Sequence, residues 1–130
     1  MYYLTIKRRF AAAHRLSGYR GECASLHGHT WTVEVEVAGE QLDSCGMLVD
    51  FKVLKKMVDG IVSELDHNYI NDLAHFDFDR GGVNPTAENI AAYIFKSVRV
   101  QIENLGKELC LLEVKVWESP DASACYREDK

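Results

Sequence analysis

The sequence predicts an α+β fold: an antiparallel sheet with two helices packed on one of its faces. Three observations carry this. Two stretches alternate with a period of two near the N-terminus, two later stretches repeat at helical spacing, and apolar alternation returns near the C-terminus, which gives the element order ββααββ. No internal repeat or low-complexity segment breaks the order, and residues 1–130 read as one domain.

Each element has its own signal. Residues 2 to 13 set Leu4, Ile6, Phe10 and Ala12 on one side and Thr5, Lys7 and Arg9 on the other, as a half-buried strand should; Arg8 interrupts the apolar side. The alternation is cleanest in TWTVEVEVAG, where Trp31, Val33, Val35 and Val37 share a face. After GMLVD the period changes. Leu54, Met57, Val58, Ile61, Val62 and Leu65 then fall on one side of a helix that Asp50 can cap, with Gly60 inside it costing about 1 kcal/mol relative to alanine. The stretch 66–85, rich in Asn, Asp and Gly, reads as a loop. Thr86 next caps a second helix whose core side carries Ile90, Ala91, Ile94, Val98, Ile102 and Leu105, and Gly106 suits its stop. Two more strands, LCLLEVKVWE and ASACYR, are joined through the turn-forming Ser119, Pro120 and Asp121. With both helices on one face, the other face and the sheet edges are left uncovered, which favours self-association.

Composition excludes several classes of function. A chain of 130 residues with 47% hydrophobic and 27% charged content is an ordinary soluble domain, able to bury a core without disulfide staples. The four cysteines include no C-x-x-C pair, and MYYLTIKRRF lacks the basic-then-apolar order of a signal peptide, so a reducing cytoplasm is the expected location. No apolar run nears the roughly 18 to 20 residues of a membrane helix. A net charge of -5 with scattered basic residues argues against nucleic acid. A small-molecule or protein partner remains.

The chemistry concentrates in ECASLHGHTW. Side chains two apart on a strand share a face, so His27 and His29 project together, with Gly28 leaving the backbone between them unobstructed. His14 ends the first strand on the parity of Phe10 and Ala12, and a hairpin of the first two strands would bring the three imidazoles together. That set suits zinc, which in catalytic sites takes three protein ligands and keeps a fourth position open. Cys23 has three readings: a fourth ligand closing a structural zinc, a thiolate that moves a proton, or a buried small side chain. Asp66 and His67 can pair at the end of the first helix, or simply form its terminus. Glu118 shares parity with Leu112, Val114 and Val116, so a carboxylate ends an apolar strand face and needs either a partner or solvent. His75 and the D-x-D-x-x-G around it read as loop, since that motif lacks the later glutamate of a calcium site.

Taken together, AAAHRL, CASLHGH, GMLVDF, LDHNYIND, NPTAEN and VWES resemble the 6-pyruvoyltetrahydropterin synthase family over about residues 3 to 127. The three-residue gap between Cys23 and His27 most resembles its branch forming 6-carboxy-5,6,7,8-tetrahydropterin for queuosine precursors. The resemblance implies a tunnelling fold whose sheets join in trimers as a barrel, two trimers stacking into a homohexamer with active sites between subunits. It implies zinc on His14, His27 and His29, Cys23 as proton-abstracting base, and Asp66 with His67 as a relay pair. Glu118 matches a carboxylate that anchors the pterin and joins the relay, and Thr86 and Glu88 match a segment beside the pterin pocket. The implied substrate is 7,8-dihydroneopterin triphosphate, converted by a lyase with release of acetaldehyde and triphosphate, or with the side chain retained in the pyruvoyl branch. Glu22 beside Cys23 is a possible second base, and Lys7, Arg8, Arg9, Arg15 and Arg20 are unranked candidates for the triphosphate. The alternative of another class is a non-catalytic module in which Cys23 and the three histidines close a structural zinc.

Overall fold

The computed structural model describes residues 1–21 and 24–128. Strand β1 (Tyr2–His14) and strand β2 (His27–Gly39) pair antiparallel along their whole length, in a register that sets Phe10 opposite Trp31, Ala12 opposite His29 and His14 opposite His27. Strand β4 (Cys110–Ser119) pairs antiparallel with β2, and β5 (Ala122–Tyr126) with β4. Helices α1 (Phe51–Val62) and α2 (Ala87–Glu103) cover one face, as the alternation and the helical spacing predict. Both predicted caps form. Asp50 accepts a hydrogen bond from the Lys52 N–H at 2.8 Å, and the Thr86 hydroxyl accepts from the Asn89 N–H at 3.1 Å.

One core joins the layers. Phe10, Trp31, Val33 and Val35 of the first two strands meet Val114 and Val116 of β4, Leu54 and Val58 of α1, and Ile90 and Ile94 of α2. Arg8, the charge on the apolar side of β1, donates from Nε and Nη2 to the two carboxylate oxygens of Asp59 at 2.6 and 2.9 Å. This two-pronged pair satisfies the guanidinium while linking β1 to α1. The opposite face of the sheet is polar and helix-free: Glu34 there accepts from the Trp117 indole at 2.8 Å and pairs with Lys7 at 3.6 Å.

Two expectations need correction. Residues 66–85 are not irregular throughout, because Asn68–Tyr69 form a short strand, β3, parallel to Ala12 and Ala13, which completes the sheet order β3-β1-β2-β4-β5. Three single turns of 3-10 helix follow, pinned by the fully buried Ile70 and Phe76. The inward residue near the start of β4 is Leu111, not Leu112: the pairing steps from Glu36 with Glu113 to Val37 with Leu111, and Leu112 is the extra residue of a bulge. Among the described residues, no helix is long and apolar enough to cross a membrane.

Leu54, 1% exposed, and Asp59, at the partly open ion pair, should differ in their cost of removal. In urea unfolding, Leu54→Ala is expected to lose about 2 to 5 kcal/mol, and Asp59→Asn about 1 kcal/mol or less.

Candidate metal centre

The β1–β2 register delivers three imidazoles to one end of the sheet. His14 lies on the same inward row as Phe10 and Ala12, and His27 and His29 continue the inward row of Trp31. The ring centroids of the three lie 4.5 to 5.3 Å apart. Glu118 joins them from β4, because Thr32 pairs with Trp117 and so sets Glu118 beside the end of β2. One ligand atom from each of His14, His27, His29 and Glu118 lies within 4.8 Å of every other. The expected convergence is therefore present, with Glu118 added. Gly28 is less constrained than its spacing suggests, since a Cβ there would meet only the Ala12 carbonyl at 3.8 Å.

Trp31 forms the floor. Its buried indole stands edge-on to His14 and His29, with centroids 4.9 and 5.3 Å away, and its N–H donates to the Ala12 carbonyl at 3.2 Å. This packing restricts the imidazole rotamers. Backbone carbonyls orient two of the rings: the Pro85 carbonyl lies 2.7 Å from His14 Nδ1, and the Ser25 carbonyl 2.7 Å from His27 Nδ1. A carbonyl can only accept, so each Nδ1 carries the proton and each Nε2 carries a lone pair.

Electrostatics favour the same neutral form. His14 is only 2% exposed, and burial, the largest cause, pushes its pKa below the usual imidazole range. The hydrogen bond to Pro85 and the charge of Glu118 pull the other way, and His27 and His29 add to the lowering. His14 Nε2 and His29 Nε2 are buried with no hydrogen-bond partner. Buried nitrogens left unpaired in this way are costly, and a shared cation satisfies both. The donor set, three imidazoles and one carboxylate, fits a divalent ion of the zinc type.

The other predicted residues lie around this cluster. Asp66 and His67 do pair, with 3.0 Å between Asp66 Oδ1 and His67 Nδ1, and both are fixed to Ala11 of β1: its N–H donates to Asp66 at 2.9 Å and its carbonyl accepts from the His67 N–H at 2.6 Å. His67 has φ of 59°, an uncommon left-handed conformation for a residue with a side chain, and its imidazole is 83% exposed, outside the histidine cluster. Thr86 is engaged as a helix cap, whereas Glu88 is exposed in the first turn of α2. Three of the basic candidates are paired: Arg8 with Asp59, Arg15 with Asp79 at 3.2 Å, and Lys7 with Glu34. Cys23 and Glu22 lie outside the described residues.

Several supporting groups escaped the sequence reading. The side-chain amides of Asn71 and Asn84 each bond both the N–H and the carbonyl of one residue, Arg15 and Ser17 respectively, at 2.9 to 3.0 Å, as a neighbouring strand would. Asn89 in turn donates to the Asn84 carbonyl at 2.9 Å. The chain after His14 is thus held at Arg15 to the turn that follows β3 and at Ser17 to the residue before Pro85. Only the Asn-Pro preceding the helix hinted at this.

Comparison with known proteins gives a consistent picture. The family model described as 6-pyruvoyl tetrahydropterin synthase matches residues 3–129. A 6-carboxy-5,6,7,8-tetrahydropterin synthase from Bacillus subtilis is 39% identical over 110 residues, covering 85% of this chain and 73% of that one. A dihydroneopterin monophosphate aldolase from Pyrococcus furiosus is 40% identical over 109 residues, covering 84% and 82%. Among solved structures, a 6-pyruvoyl tetrahydropterin synthase from Caenorhabditis elegans superposes with a TM-score of 0.80 at 28% identity, covering 99% of this chain and 98% of that one.

The clamp on Ala11 predicts a pH signature for Asp66. Its carboxyl is held below the usual range, chiefly by the Ala11 N–H and then by His67. A lowered carboxyl pKa contributes stability above the unfolded value of about 3.9 and loses it as pH falls through the folded value. The stability gap between the native chain and Asp66→Asn, followed by denaturant unfolding, should narrow as pH drops below about 4. A gap independent of pH would contradict the clamp.

Proposed function

The chain belongs to the 6-pyruvoyl tetrahydropterin synthase family, and on that premise we propose that it is a zinc-dependent lyase that converts 7,8-dihydroneopterin triphosphate to 6-carboxy-5,6,7,8-tetrahydropterin, releasing acetaldehyde and triphosphate. The observation that carries the reading is the pair of unpartnered, buried Nε2 atoms converging with His27 and Glu118. It draws further support from the likeness to the Bacillus subtilis 6-carboxy-5,6,7,8-tetrahydropterin synthase.

In this reading His14, His27 and His29 hold the ion, which supplies Lewis acidity that eases deprotonation at a hydroxyl-bearing carbon of the substrate side chain. The carbonyls of Pro85 and Ser25 keep His14 and His27 in the ligating tautomer. Cys23 takes the proton from the side chain, and the Asp66–His67 pair returns one. Because the His67 imidazole is exposed at the β1 edge of the sheet, it serves the site of a neighbouring subunit in the expected barrel of trimers. Glu118 takes both roles expected of it, anchoring the guanidine-like edge of the pterin and joining the proton relay. Glu88, exposed beside Thr86, offers a second carboxylate to the ring.

The test is to incubate the zinc-loaded protein with 7,8-dihydroneopterin triphosphate and identify the pterin by mass spectrometry, with a parallel assay for acetaldehyde. A carboxylated pterin with acetaldehyde supports the proposal, and a pyruvoyl product moves the chain to the other branch. The likeness to the Pyrococcus furiosus aldolase, together with Glu22 next to Cys23, favours a second reading in which the side chain is cleaved between carbons. Turnover of dihydroneopterin monophosphate, with the triphosphate untouched, would select that reading.

Two variants test the division of labour. Cys23→Ala should keep one zinc per chain and lose turnover by about 100-fold or more, whereas loss of metal with the thiol would favour the structural-zinc module. His29→Ala should lose zinc in metal analysis of the purified protein, and full retention there would remove the three-histidine site.

A further inference from the structure

We propose that Glu118 is the fourth protein ligand of this metal centre in the substrate-free chain, filling the position a substrate oxygen takes in turnover. The inference deepens the metal-centre reading above and rests on it. Glu118 ends the inward row of β4, beyond the fully buried Val114 and Val116, with its side chain 32% exposed and its carboxylate turned to the histidines. Its Oε1 lies 2.8 Å from His29 Nε2 and 3.8 Å from His14 Nε2, yet neither nitrogen is hydrogen-bonded to it.

Proximity without a hydrogen bond is the informative feature. The His14 proton is committed to Nδ1 by the Pro85 carbonyl, so the Nε2 facing the carboxylate presents a lone pair. A lone pair and a carboxylate oxygen repel each other, and the 3.8 Å between His14 Nε2 and Glu118 Oε1 leaves room for a cation that joins them. Ligand atoms about 2.0 Å from a tetrahedral ion are roughly 3.3 Å apart, and the two Glu118 distances, 2.8 and 3.8 Å, bracket that separation. The carboxylate is part of the same constellation as the imidazoles, within the 4.8 Å spread of the four ligand atoms. A centre closed by four protein groups at rest opens only when Glu118 gives way, so the same residue guards the ion and clears the site for substrate.

The experiment uses the full chain reconstituted with Co2+ and no substrate, comparing the native protein with Glu118→Gln and Glu118→Ala. The visible bands of Co2+ report its ligands, and azide serves as the competing anion. The native protein should bind azide at least about tenfold more weakly than Glu118→Ala, and Glu118→Gln should bind Co2+ about 10- to 100-fold more weakly than the native chain. Band positions, azide affinity and Co2+ affinity that are unchanged in the variants would overturn the proposal. A native chain that takes up no Co2+ would instead refute the metal centre itself, and the proposal with it. Should Glu118→Ala fail to fold, the isosteric Glu118→Gln decides the matter through the band positions and the Co2+ affinity.

Discussion

The pairing of His14 with His27 across β1 and β2 is the constraint on which the rest depends. Side chains alternate with a period of two, so a slip of one residue in this register would turn one strand's row of inward residues to the other face. The same slip that exposed Ile6 and Phe10 would carry His14 away from His27 and His29. Core and site are thus specified by a single alignment. The long apolar row of β2, from Trp31 to Val37, all fully buried at its odd positions, supplies the free energy that holds the alignment.

Holding imidazoles at the end of a core brings an electrostatic problem, and its resolution shapes the surroundings. Three protonated rings within about 5 Å would repel strongly in a medium of low polarity. Burial favours the neutral form of His14, the Trp31 indole limits how the rings turn, and backbone carbonyls accept hydrogen bonds from the N–H groups that neutral rings retain. What is left is a set of lone pairs aimed inward with a carboxylate beside them, an arrangement that a cation would satisfy. The straps from Asn71 and Asn84 belong to the same arrangement, because they hold the chain leaving His14 to the turn after β3 and to the residue before Pro85.

Much of this was legible in the residues themselves. Alternation located β1 and β2, helical spacing located α1 and α2, and the caps Asp50 and Thr86 act where composition placed them. Parity set His27 and His29 together, His14 on the core side of β1 and Glu118 at the end of the apolar row of β4, but not the meeting of Glu118 with the histidines. What was not legible depends on atoms or distances that a sequence does not spell out. Pro85 and Ser25 contribute backbone carbonyls, which every residue has. The partner of Arg8 is Asp59, on a separate element. A two-residue strand such as β3 has no period to detect, and the bulge at Leu112 shifts parity within an unbroken apolar run. Adjacency left Asp66 and His67 open between a pair and a simple helix terminus, and neither the clamp on Ala11 nor the outward turn of the imidazole was legible.

The proposed function requires that the three histidines hold an ion whose remaining position sulfur never takes, so that Cys23 is free to move a proton. Zinc K-edge X-ray absorption on the purified, zinc-loaded chain tests this most directly. The account predicts a first shell of nitrogen and oxygen alone, at about 2.0 to 2.2 Å. A sulfur scatterer at about 2.3 Å would place the thiol on the metal and contradict it.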